Sequence, residues 1–307
     1  MKSKGKLSRW SRTPMERRRS LWGWGFISLW FIGTVAFFVV PMLQTAVYAF
    51  SKVTLTSSGV NYQYVGLKNF LYVFTEDADF LPNLTESLGT MLYRVPIIVI
   101  FSLLMAMLLR NKFRGKTFFR SVFFFPVIIA SGVVITILQT QVMMTGSATT
   151  AGQESYMFSA PDFLVLTETL GVPQAVSDLI SSVVNGFFDI TWKSGVQTVL
   201  LLSAVSHISP SSYEAADMEG ATAWEKLWKI TFPMISPTIL VVLVYTIVDT
   251  FTDYSNKVMR MISGFFGEGQ YEYSTTVGLV YFVIVLVIIG VVSGVFSRWI
   301  YYANNDK

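Results

Sequence analysis

The chain has 307 residues, 52% hydrophobic and 14% charged, with 25 Phe, 14 Tyr and 8 Trp. That is more apolar side chain than one water-soluble core can bury, so the composition excludes an ordinary soluble enzyme and points to a membrane protein. Cysteine is absent and His207 is the single histidine, which excludes thiol catalysis, disulfides and cysteine-based metal sites; the net charge of +4 sits in short basic blocks beside hydrophobic runs, a pattern of membrane topology and not of nucleic-acid binding.

Residues 1–23 carry Lys2, Lys4, Lys6, Arg9, Arg12, Arg17, Arg18 and Arg19 against the one acid Glu16, and reach Trp22 at their end. They read as a basic cytoplasmic arm meeting an aromatic interfacial belt. A cleaved signal peptide fits less well, because the apolar stretch 25–40 exceeds an ordinary h-region and no small-residue cleavage site precedes the next polar segment. A membrane crossing needs about 20 mainly apolar residues. Six stretches qualify: 24–50 with Pro41, 88–109 with Arg94 and Pro96, 118–138 with Pro126, 191–208 with Lys193 at its start, 235–251 with Asp249, and 275–300. The expected fold class is an all-α membrane protein with six transmembrane helices, the membrane domain spanning 24–303 before a short tail, 304–307.

Lys and Arg orient the connections. Arg110, Lys112, Arg114, Lys116 and Arg120 crowd residues 110–120, whereas 142–190 holds no Lys or Arg but contains Glu154, Asp162, Glu168, Asp178 and Asp189. The first is expected in the cytoplasm and the second outside, which puts both termini and the segment 209–233 in the cytoplasm. Within the external segment, Val176, Leu179, Ile180, Val183, Val184, Phe187 and Phe188 recur at helical spacing. This predicts a helix whose apolar face packs on the bundle or the outer interface, with partner contact as the alternative.

Residues 211–233 read SSYEAADMEGATAWEKLWKITFP. Ser211 and Glu214 have capping-box spacing, Gly220 permits a turn, and residues 223–230 resume a helical pattern with Trp224, Leu227, Trp228 and Thr231 on one side. Two short helices around a glycine, held between two spans, make a stiff knob. This segment resembles the EAA motif of permease subunits of ATP-binding-cassette importers. The resemblance is carried by Glu214, Ala215 and Ala216, by Gly220 after three intervening residues, and by Ile230 and Pro233 beyond it. Phe232 stands where the family usually has Leu, and Glu219 where carbohydrate-type members often have Asp. Residues 113–134, FRGKTFFRSVFFFPVIIASGVV, likewise resemble the second loop and third span of the carbohydrate permeases, and the likeness extends over residues 85–300.

The resemblance implies the type I importer permease fold, with Glu214, Ala215, Ala216, Gly220, Ile230 and Pro233 coupling to an ATPase. No G-x-x-x-x-G-K-[ST] occurs, so the chain itself is expected to be no enzyme and to hold no cofactor, with ATP and Mg bound by partner subunits. The implied partners are a second permease, expected to be a different chain, two ATPase subunits and an extracytoplasmic solute-binding protein, in the cytoplasmic membrane of a bacterium or archaeon. For a sugar or oligosaccharide path, Arg94 and Asp249 stand out as charges at membrane depth. Gln139, Tyr245, Asp253 and Tyr254 could join them in a polar, aromatic-edged cavity. Helix-end snorkelling, or a salt bridge between Arg94 and Asp249, is the plainer alternative. His207 is expected at the cytoplasmic end of the fourth span. A gradient-driven secondary transporter or channel would also use Asp249, but it gives no reason for the EAA segment. A membrane-embedded enzyme has less support still, because no paired intramembrane aspartates or HExxH motif occur to carry hydrolysis.

Overall fold

The computed structural model describes residues 14–56, 59–110, 117–118, 121, 173–253 and 255–300. Nearly all of the expected third span, 118–138, lies outside these residues, as do Gln139 and Tyr254. Among the described residues, the helices Gly23–Ala49, Phe80–Arg110, Ala223–Thr252 and Tyr271–Ser297 are long and apolar enough to cross a membrane, and Gly195–Ser206 is a shorter apolar helix. Contacts divide the chain into two compact units, residues 1–77 with 262–280 and residues 78–261 with 281–307.

In the first unit, α1 (Pro14–Thr34) passes through a π-helical turn, Val35–Val39, into α2 (Val40–Ala49). The irregularity therefore immediately precedes Pro41, which lies inside the continuous helix Gly23–Ala49 and has no N–H to give to the preceding turn. An antiparallel hairpin follows, β1 (Ser51–Thr56) paired with β2 (Gly59–Tyr64) from Ser51↔Tyr64 to Thr56↔Gly59. The all-α expectation did not include it. Asn69, in the short helix α3 (Lys68–Leu71), fastens the hairpin's root: its buried amide donates to the carbonyls of Ala49 and Ser51, both at 2.9 Å. Thr276 Oγ1 adds a 3.2 Å bond to the same Ala49 carbonyl.

In the second unit, α4 (Phe80–Arg110) packs against α6 (Gly195–Ser206) and α9 (Phe232–Thr252), which also touch each other. Small residues allow the approach. Ser102 and Ala106 of α4 are fully buried, and the Ser102 hydroxyl returns to the Ile98 carbonyl at 2.7 Å, as suits helices packed in lipid. Ile98, Leu201, Val205, Ile235, Val242 and Ile247 fill the core. On the far side of α4, Leu92, Ile100, Leu104 and Leu108 form an exposed apolar stripe.

The helix predicted around 176–188 forms as α5 (Gln174–Lys193) and meets α6 across Ser194 alone. Its apolar stripe is only partly covered, with Ile180, Val184 and Phe188 half-buried. Val176, Leu179, Val183 and Phe187 are exposed while Ser177 and Ser181 are buried. The polar residues Asp178, Ser182 and Asn185 are exposed as well.

Candidate functional site

The knob is built from α7 (Pro210–Met218) and α8 (Ala223–Lys226), joined to α9 through a π-helical turn, Leu227–Thr231. Ser211 does not cap α7: the N-cap residue is Ser209, with no side-chain cap bond, and Ser211 lies inside the first turn with its hydroxyl 2.6 Å from that of Ser209. The capping box belongs to the second helix. Thr222 Oγ1 accepts from the Glu225 N–H at 3.3 Å while Glu225 Oε2 accepts from the Thr222 N–H at 3.0 Å.

Gly220 adopts φ +75°, and the Ala221 N–H reaches back to the Ala216 carbonyl at 2.9 Å, closing α7 with a Schellman-type turn. A Cβ at Gly220 would meet nothing within 4 Å, so the demand for glycine comes from the backbone angle alone. Glu214, Ala215 and Glu219 are exposed, Ala216 is buried, and Ile230 and Pro233 are half-buried where α9 begins. The knob also presents Met218, 89% exposed, and Trp224, 67% exposed. Tyr213, which the sequence pattern did not single out, ties the knob down. Its hydroxyl lies 2.7 Å from Thr231 Oγ1, and the Arg110 guanidinium sits 4.1 Å over its ring.

At the other end of α9, about 30 Å away for a helix of this length, the charged residues gather. Arg94 of α4 pairs with Asp189 of α5, and Lys193 pairs with Asp253 just after α9 and lies 3.9 Å from Asp189. The alternative pair of Arg94 with Asp249 does not form. Asp249 stays within electrostatic reach of Lys193 and Arg94 but makes no salt bridge among the described residues. Tyr245, one turn before it, is exposed.

Beside this network is a cavity of about 230 Å³ lined by Glu86, Ser87, Thr90 and Arg94 of α4, by Thr250, and by Ser255, Asn256, Lys257 and Arg260 around the start of α10 (Lys257–Gly267). Asn256 sets its wall. Its amide donates to Ser87 Oγ at 2.6 Å and to Tyr281 OH at 2.9 Å, while its carbonyl accepts from the Val258 N–H at 2.9 Å. Tyr281, on α11 (Tyr271–Ser297), donates in turn to the Phe251 carbonyl at 3.2 Å. Arg94 thus lines the cavity and Asp253 adjoins it, whereas Tyr245 and Asp249 are not among the lining residues. Ser87, Asn256 and Tyr281 carry no spacing signal that links them. Gln197 of α6 was missed as well: it is fully buried, and both its amide atoms lack a hydrogen-bond partner among the described residues.

Residues 79–307 match the family model of binding-protein-dependent transport system inner membrane components. The chain belongs to this family. This permease is 26% identical over 289 residues to the multiple sugar-binding transport system permease protein MsmF of Streptococcus mutans, covering 89% of the chain and 92% of that protein. It is 24% identical over 308 residues to the probable ABC transporter permease protein YesP of Bacillus subtilis, covering 95% of each. Its fold matches a chain of a bacterial alginate ABC transporter, solved with an alginate pentasaccharide-bound periplasmic protein, with a TM-score of 0.61 and 20% identity over 94% of this chain and 98% of that one. The permease is a multi-pass inner-membrane component of a binding-protein-dependent transport system and has the type I importer permease fold.

Proposed function

We propose that the permease forms part of the path by which a sugar or oligosaccharide enters the cell, and that the knob at 209–233 transmits motion from a separate ATPase. Glu214, Ala215, Ala216, Gly220, Ile230 and Pro233 form the coupling element. The single observation that carries this reading is the build of the knob: an exposed face on a Gly220-closed turn, clamped by Tyr213 to both Arg110 and Thr231 and continuous with α9. A contact that is rigid on both sides can shift the bundle between inward-open and outward-open states as the ATPases close on ATP. ATP and Mg belong to those two partner subunits. A second permease of different sequence completes the path, and a solute-binding protein delivers cargo from outside. The alginate transporter, in complex with a periplasmic protein that carries an alginate pentasaccharide, supports that last role. Both termini face the cytoplasm, with residues 1–23 as a basic cytoplasmic arm. The cavity beside α4, with Arg94 on its wall and Asp253 adjoining, is the solute-facing end of the path.

The test is co-purification of the tagged permease in mild detergent, with and without Gly220→Val. A branched side chain at φ +75° costs roughly 1–2 kcal/mol locally and leaves the spans untouched. The variant should insert normally yet lose ATPase subunits or solute-stimulated ATP hydrolysis. Full assembly with full stimulation would remove the coupling role.

A further inference from the structure

The cavity beside α4 has an uneven charge. Three cations line it, Arg94, Lys257 and Arg260, against one carboxylate, Glu86. Arg94 is matched by Asp189, and Lys257 by Glu86 at 2.5 Å. Arg260 is exposed and makes no salt bridge among the described residues. Asp189, Asp249 and Asp253 neutralise the neighbourhood as a whole but do not line the cavity. Most polar groups of the wall are also engaged. Asn256 and Ser87 bond each other, the Thr250 hydroxyl returns to the Thr246 carbonyl at 2.7 Å, and the Ser255 hydroxyl donates to Asp253 at 2.6 Å. The Thr90 hydroxyl has no hydrogen bond among the described residues. The wall therefore offers an incoming molecule one unspent guanidinium and one unspent hydroxyl.

A guanidinium fork matches a carboxylate in two parallel charge-assisted bonds, a geometry that no neutral sugar group reproduces. We propose that this cavity is a subsite for a sugar acid, with Arg260 taking the carboxylate of a uronate residue and Thr90 a ring hydroxyl. The proposal rests on the reading of the chain as a sugar path and names the class of sugar. Glu86 sets the strength of the site, because it withholds Lys257 from the ligand.

The experiment compares digalacturonate with galactobiose, its neutral counterpart of the same size, by saturation-transfer NMR on the full-length permease in its purified importer complex. Digalacturonate should bind about tenfold more tightly, since a charge-assisted pair replaces a neutral one. Arg260→Gln should abolish that preference, and Glu86→Gln, which frees Lys257, should increase it. Equal binding of the two sugars would overturn the sugar-acid assignment while leaving the sugar path in place. Binding of neither would overturn both. A preference that survives Arg260→Gln would remove Arg260 from the site, and if that variant fails to assemble, the absence of any gain in Glu86→Gln overturns the proposal.

Discussion

Tyr213 and Thr231 join hydroxyl to hydroxyl at 2.7 Å, linking the first helix of the knob to the residue on which α9 begins. Thr231 is buried and keeps a second bond to the Lys226 carbonyl at 3.2 Å. Tyr213→Phe should therefore cost only about 1 kcal/mol of stability while loosening the knob on its span. The expected result is a nearly unchanged melting temperature with reduced solute-stimulated ATP hydrolysis in the assembled importer. If stimulation is intact, the clamp does not transmit motion.

Lys193 and Asp253 form the central pair of the charge network, and both are largely buried. Removing one charge strands the other where water is scarce, so Lys193→Met or Asp253→Leu alone should destabilise the detergent-solubilised protein by roughly 1–3 kcal/mol, and the double variant should recover most of the loss. Arg94→Gln should cost less, because Asp189 is partly exposed and keeps Lys193 at 3.9 Å. Asp249→Asn should cost less than either, because Asp249 holds no salt bridge among the described residues. Melting curves of the set distinguish these outcomes, and an Asp249 variant as damaged as the Lys193 variant would contradict the pairing.

Gln197 buries an amide with both atoms unpaired among the described residues. An unsatisfied buried polar group costs about 1–3 kcal/mol, which makes the Gln197 amide a candidate for a role other than packing. Gln197→Leu should hold or raise the melting temperature and depress solute uptake. A clear loss of stability would show that the amide serves the packing instead.

The absence of cysteine makes orientation directly measurable. Single cysteines at Tyr64, exposed on the hairpin, and at Met218, exposed on the knob, should lie on opposite sides of the membrane. An impermeant thiol reagent applied to intact cells with an opened outer envelope should label only the Tyr64 site. Labelling at Met218 would reverse the topology.

Some of this was legible without coordinates because it is local. The length of an apolar run decides whether a helix can cross a bilayer, so the first, second, fifth and sixth expected spans reappear as helices. Gly220 was legible because a turn that needs φ +75° selects glycine whatever surrounds it. The capping box was misplaced from Thr222 to Ser211 because both positions have Glu three residues on, and the choice between them depends on where the preceding span ends.

Sequence alone thus determined that the chain lives in a membrane, where most of its spans run, and that it carries a glycine-broken knob between two of them, since each follows from composition or from spacing within a few residues. Only the tertiary structure decided that Arg94 meets Asp189 and Lys193 meets Asp253, because helices that touch are far apart in the chain and spacing says nothing about which faces meet. It also decided that Val176, Leu179, Val183 and Phe187 of α5 stay exposed while Ser177 and Ser181 turn inward. Periodicity identifies the two faces of a helix, but the medium against each face settles which one turns in, and in a bilayer the apolar face can be the outer one.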